Sequence, residues 1–217
     1  MTTLAPAPNP AAPPAPPAPA ARPAALPHVP ADVVKARQDA GHDRPDEVWE
    51  GTYVIMPDPN REHQRIAARL CAIFDRVIDY EAGDEVHPGL NVTDVEPPGN
   101  WLKNYRCPDV TVYLSGNPAY EYGGATVGGP DLAVEIVSPG DRTRDKLDFY
   151  AAVGTKELLV VDRDPWSLEL FRLDGDTLTS VDRGGEVTTA VVPAVWRVTA
   201  DEARPLSLEC GGRVWPV

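Results

Sequence analysis

The stretch Leu132-Ala133-Val134-Glu135-Ile136-Val137 decides which architectures are open to this chain. A nearly unbroken apolar run of this length suits a strand covered on both faces, because a half-exposed strand alternates apolar and polar side chains. Any fold that contains it must place further layers on both sides of a sheet. One carboxylate stands inside the run. An ionised carboxylate in such a place loses several kcal/mol of solvation unless it is paired or bound to a cation, so Glu135 needs a partner from elsewhere in the sequence.

The neighbouring segments supply the layers. Ala31 to Ala40 reads as a short helix stopped by Gly41. Val48 to Met56 reads as a strand that ends at Pro57-Asp58-Pro59-Asn60. From Asn60, a candidate N-cap, the residues Ile66, Leu70, Ile73, Phe74, Val77 and Ile78 recur at three and four positions. Their spacing predicts an amphipathic helix that runs on towards Gly83. Val86 to Val92 is a strand broken by Pro88-Gly89, Val110 to Leu114 is another, and Ser115 to Pro130 is a glycine-rich loop. Ser138-Pro139-Gly140 breaks the Glu135 strand, and Thr143 to Val153 is a helix with Leu147, Tyr150 and Ala151 inward and Gly154 as its stop. Glu157 to Val161 is a second buried strand. Leu168 to Leu173 and Thr177 to Val181 form a hairpin over Asp174-Gly175-Asp176, and short strands fill the last thirty or so positions. The fold class is α/β (α+β), a mixed central sheet flanked by helices with extra C-terminal strands.

Composition separates a tail from this body. Residues 1–30 hold 11 of the 25 prolines and 10 alanines, with Arg22 as their one formal charge. Such a tract has no periodic apolar face and favours extended polyproline II structure, so a solvated arm is expected ahead of a single domain over residues 31–217. It lacks the basic start and apolar stretch of a signal peptide. No apolar run approaches about 18 residues, so no membrane helix is expected. Cys71, Cys107 and Cys210 stand at unrelated spacings, which suggests neither a disulfide framework nor a zinc site and points to a reducing, cytoplasmic setting. Residues 31–217 carry a formal charge of −14, which excludes a general basic protein that coats nucleic acid.

Asp109 stands at the mouth of the Val110 to Leu114 strand, just after Pro108. If that strand lies beside the Glu135 strand, the two carboxylates converge and can hold a hard cation such as Mg²⁺. If it does not, Asp109 caps a turn and Glu135 pairs with an arginine or sits on a solvated face. The Glu135 strand leads directly into the helix that bears Lys146 and, four positions on, Tyr150. An ammonium delivered there can orient a water and stabilise charge on a phosphate.

Five separated features occur in order: Arg106-Cys107-Pro108-Asp109-Val110, Pro130-Asp131-Leu132-Ala133-Val134-Glu135-Ile136-Val137-Ser138-Pro139, Lys146, Tyr150, and Glu157-Leu158-Leu159-Val160-Val161-Asp162. In these the sequence resembles the Uma-two family of endonucleases, within the PD-(D/E)XK restriction-endonuclease-like superfamily, over roughly residues 45 to 175. The resemblance implies a restriction-endonuclease-like core and metal-dependent hydrolysis of DNA phosphodiester bonds with Mg²⁺ or Mn²⁺. It implies Asp109, Glu135 and the Ile136 carbonyl as metal ligands and Lys146 as the catalytic lysine. The wider superfamily places that lysine two positions after the glutamate, where this chain has Val137. Glu50, before Gly51, matches an acidic-Gly pair of the family and is an accessory candidate, against a plain solvated strand residue. His63 matches a family position at the start of the long helix and is a second accessory candidate, against a structural or exposed histidine.

The acidic body repels a polyanion at long range, so a local basic groove or the cleft of a homodimer would have to offset it. Arg61, Arg65, Arg69 and Arg76 on the long helix are the candidate basic surface, and they equally suit a solvated face. The competing function is a catalytically silent restriction-endonuclease-like module that binds nucleic acid or protein, with Asp109 and Glu135 as remnants. Metal binding through those two carboxylates separates the alternatives.

Overall fold

The computed structural model describes residues 29–56, 58–137 and 142–217, together with the backbone of 24–25. Most of the Pro/Ala arm and the Ser138-Pro139-Gly140 break lie outside the described residues. Within the arm, Ala24–Ala25 pairs antiparallel with Thr52–Ile55, so this piece lies along a strand.

The Glu135 strand, Leu132–Ile136, is central in a six-stranded sheet. The order is Thr177–Gly184, Trp166–Asp174, Glu157–Arg163, Leu132–Ile136, Val110–Tyr113, Glu85–Pro88. Leu132–Ile136 runs parallel to Glu157–Arg163 and antiparallel to Val110–Tyr113, so the sheet is mixed. Both faces are covered, as the apolar run requires. Leu132, Val134 and Ile136 point into one core with Ile66, Leu70, Ile73 and Phe74 of a helix and with Trp196, Leu206 and Leu208 of the C-terminal strands. Ala133 and Val137 point into the other, with Phe149, Tyr150 and Ala151. Strand alternation therefore delivers Glu135 to the second face.

The described residues include three α-helices. Helix α1 spans Ala31–Ala40 and ends as expected at Gly41, whose φ of 69° is the left-handed cap geometry that glycine adopts without a Cβ penalty. Helix α2 spans Arg61–Phe74, and the Asn60 side chain accepts the His63 N–H at 2.9 Å, so the N-cap is the residue the sequence indicates. It stops well short of Gly83, because Asp75 to Ile78 turn away and Asp79 caps a separate single turn, Tyr80–Ala82. Helix α3 spans Leu147–Ala152 and is preceded by a 3₁₀ turn, Thr143–Lys146.

Two further segments differ from their sequence reading. Val48 to Met56 is a hairpin, Glu47–Trp49 against Thr52–Ile55, because Glu50 and Gly51 both take positive φ, 44° and 81°, as a tight two-residue turn demands. The expected Ser115 to Pro130 loop contains a second hairpin, Tyr120–Tyr122 against Ala125–Val127. The C-terminal strands form a four-stranded antiparallel meander, Glu186–Thr189, Ala194–Val198, Leu206–Cys210 and Arg213–Pro216, packed over the α2 side of the core. No helix among the described residues is long and apolar enough to cross a membrane.

Candidate active site

The central strands bring Asp109 and Glu135 together. The antiparallel ladder pairs Leu132 with Val112, Ala133 with Thr111 and Val134 with Val110, and one step on in this register faces Glu135 with Asp109. The ladder ends there because the Asp109 side chain takes over: its Oδ2 accepts the Ile136 N–H at 2.7 Å. On the other edge, the Val137 N–H donates to the Val161 carbonyl. Alternation along the strand therefore turns the carbonyl of Ile136, like its N–H, towards Asp109. His63, one turn into α2, places Nε2 at 3.1 Å from the same Asp109 oxygen. Its Nδ1 is buried with no hydrogen-bond partner among the described residues.

A second cluster adjoins the first through Glu135. Lys146 Nζ donates to Glu135 Oε1 at 3.0 Å and to Glu47 Oε1 at 2.8 Å. Tyr150, one turn along α3, donates its hydroxyl to Glu135 Oε1 at 2.5 Å. The four-residue spacing of Lys146 and Tyr150 thus puts both on one carboxylate. Burial, with the Glu135 and Glu47 charges next, holds the Tyr150 phenol well above its ordinary range, so it serves as a donor. Glu47 also accepts the Cys107 N–H at 2.9 Å and the Trp49 indole N–H at 2.6 Å. Glu47, Lys146 and Glu135 are 1 %, 2 % and 5 % exposed, so these charges are met by hydrogen bonds within the protein rather than by solvent.

Arg106 buttresses the cluster. Its guanidinium lies between the Trp49 ring, 4.8 Å to the centroid, and the Phe149 ring, 4.3 Å, and Arg142 stacks 4.7 Å from Trp49. Burial lowers the Arg106 pKa, and the Glu47 and Glu50 carboxylates oppose that shift. Glu50 pairs with Arg106 at 3.1 Å and its side chain is 73 % exposed. It therefore stands apart from Lys146, and Glu47, three positions earlier on the same hairpin, is the acidic residue that the structure puts beside the lysine. Nothing in local spacing marks Glu47, which lies far from Lys146 in sequence. Trp101 packs edge-on to Tyr105 and donates to the Gly123 carbonyl, so it stacks within the protein. Of the α2 arginines, Arg69 donates to the Pro216 carbonyl, and Arg76, beyond the helix, lies over Trp215.

A cleft of about 430 Å³ opens beside Asp109, with His63, Gln64, Cys107 and Asp58 on its walls and Arg44 as the one arginine or lysine among the described residues that line it. Burial, then the Glu47 and Asp109 charges, pushes the Cys107 thiol up to about 12, so this wall is a neutral thiol.

The chain is similar to known proteins in two respects. Its fold resembles a solved structure described as a "putative nuclease belonging to DUF820" from Anabaena variabilis, with a TM-score of 0.52 and 18 % identity over 67 % of this chain and 80 % of that one. No curated protein matches the chain. The family model Uma2, described as "Putative restriction endonuclease", matches residues 37–201, a wider span than the motifs themselves cover. By that match, which takes in the Glu47 hairpin, Asp109, Glu135 and Lys146, the chain belongs to the Uma2 restriction-endonuclease family.

Proposed function

We propose that the protein is a metal-dependent endonuclease that hydrolyses phosphodiester bonds in DNA. The observation that carries this reading is the cross-strand placement of Asp109 against Glu135, with Lys146 on Glu135. Among the described residues no group of three or more His, Cys, Asp or Glu side chains stands together as a metal cluster. The donors at hand are two carboxylates and the Ile136 carbonyl. All are hard oxygens, and Mg²⁺ takes one or two carboxylates while keeping several waters, so the set fits that ion, with Mn²⁺ as its substitute. Once bound, such a cation supplies Lewis-acid stabilisation of the charge that builds on the phosphate.

The chain's own groups do the rest. In hydrolysis a P–O bond forms to a water oxygen, the P–O bond to the departing alkoxide breaks, and the alkoxide gains a proton. The Lys146 ammonium holds positive charge at the site where negative charge grows. Tyr150 fixes the carboxylate of Glu135, and His63 with the Ile136 N–H fixes that of Asp109. Arg44 offers the cleft a cation for a backbone phosphate.

One observation favours the silent interaction module instead: Lys146 is held between two carboxylates, and neither it nor Glu135 lines the cleft. The deciding experiment incubates the protein with supercoiled plasmid and Mg²⁺ or Mn²⁺, beside Glu135→Gln and Lys146→Ala. Nicking by the wild type that both substitutions abolish supports the nuclease. Nicking that persists unchanged in both removes the site assignment, and an inert wild type favours the module.

A further inference from the structure

We infer that Glu47 is a positioning residue that anchors Lys146 independently of Glu135; this rests on the nuclease reading above. Three donors converge on the Glu47 carboxylate: the Trp49 indole on Oε2, and the Cys107 N–H and Lys146 Nζ on Oε1. The side chain is 1 % exposed and does not line the cleft. With three donors already on its two oxygens, Glu47 acts through the lysine it holds. Its own placement is firm, because Trp49 is pinned between Arg106 and Arg142 and Cys107 sits two residues before Asp109.

Glu135 stands differently. It shares Lys146 with Glu47, but it also faces Asp109 and belongs to the proposed cation site. A lysine held chiefly by Glu135 would compete with a cation for that carboxylate. With Glu47 present the ammonium keeps a carboxylate at 2.8 Å. Two carboxylates around one ammonium also leave the triad a formal charge of −1, which favours a cation over the lysine as the further partner of Glu135. Glu47 therefore serves both to place the ammonium and to free Glu135.

The test uses the full chain and two readouts, the first on wild type, Glu47→Gln and Glu47→Asp, the second on these together with Lys146→Met and the Glu47→Gln/Lys146→Met double variant. The first is the rate at which acetic anhydride acetylates Lys146 in the native, metal-free protein, read by mass spectrometry with Lys35, Lys103 and Lys156 as internal controls. The second is plasmid nicking over a Mn²⁺ series. Loss of the anchor should raise acetylation of Lys146 several-fold with the other three lysines unchanged, and Glu47→Asp should fall between. Nicking by Glu47→Gln should drop about 10-fold or more in kcat with little change in KM, part of the ~10²–10³-fold cost of losing a charge-stabilising donor. It should also need more Mn²⁺. The double variant should be no slower than Lys146→Met alone, because Glu47 acts through the lysine.

Unchanged acetylation, or losses that multiply in the double variant, would overturn the proposal. A wild type that does not nick removes the nuclease reading, and acetylation then decides the anchoring role alone. If Glu47→Gln fails to fold by circular dichroism, Glu47→Asp carries both readouts.

Discussion

Tyr150 and Lys146 donate to the same oxygen, Glu135 Oε1, from positions one helical turn apart. The carboxylate in the apolar strand is thus met by a buried hydroxyl as well as an ammonium. A hydrogen bond to a buried charge contributes about 1.5–3 kcal/mol, and removal of one partner exposes the other to its full desolvation cost. Tyr150→Phe keeps the ring that packs in the core and deletes only the donor. Urea denaturation should show it less stable by roughly that amount with an unchanged m value. A midpoint equal to the wild type would mean that the hydroxyl does nothing for Glu135.

Arg44 gives a separate handle on binding. It is exposed, lies in the cleft beside Asp109, and is outside both carboxylate clusters. In a protein of net charge −13 a single local cation weighs heavily in attracting a phosphate. Arg44→Ala should weaken binding of a DNA oligonucleotide, and the slope of log K against log salt should fall by about 1. Fluorescence anisotropy across a salt series measures both. An unchanged slope would place the backbone contact elsewhere on the surface.

How much of this was legible in advance depends on how local the cause is. Gly41, Asn60 and Gly154 act within a turn of their own positions, and each ends or starts the element that its sequence context indicates. The length of α2 was less visible, because Val77 and Ile78 keep the helical spacing yet pack against the core from a turn beyond Phe74. The hairpin at Glu50-Gly51 was hidden by strand-forming residues on both sides, so the run read as one strand. In the site, Asp109, Glu135, Lys146 and Tyr150 carry recognisable neighbours, whereas Glu47 meets Lys146 only where its hairpin, part of a separate sheet, packs against the turn before α3, at a separation of 99 positions. No spacing rule reaches across that distance.

Gly129 tests how tightly the entry to the Glu135 strand is packed. A Cβ there would lie 2.5 Å from the Thr155 backbone nitrogen and 2.9 Å from its Cα, and backbone atoms at this point cannot swing aside. The clash would push apart the segment before Asp131 and the chain that leaves α3. Gly129→Ala should therefore cost about 1–3 kcal/mol, the usual penalty of overpacking, seen as a lowered Tm. Gly185→Ala, where a Cβ meets nothing within 4 Å, is the control and should be near neutral. Equal melting of the two variants would show that the Thr155 segment yields.

Cys71, on α2, has its thiol pushed up to about 11, chiefly by burial, with the Asp109 charge adding to the shift. A raised thiol pKa means less thiolate at a given pH, and the thiolate is the nucleophile. At pH 8 the folded protein should therefore alkylate with iodoacetamide at Cys71 roughly 100-fold or more slowly than a free cysteine of pKa about 8.5. The rate should climb about tenfold per pH unit up to the raised value, because each unit multiplies the thiolate fraction by ten below the pKa. Unfolding in urea removes the burial and should bring the rate to that of an unstructured peptide. Mass spectrometry of timed quenches at pH 8 and pH 9, with and without urea, follows the residue directly. A native rate at pH 8 equal to the unfolded rate would show that Cys71 is not held in the apolar contact with the core that the fold assigns to it.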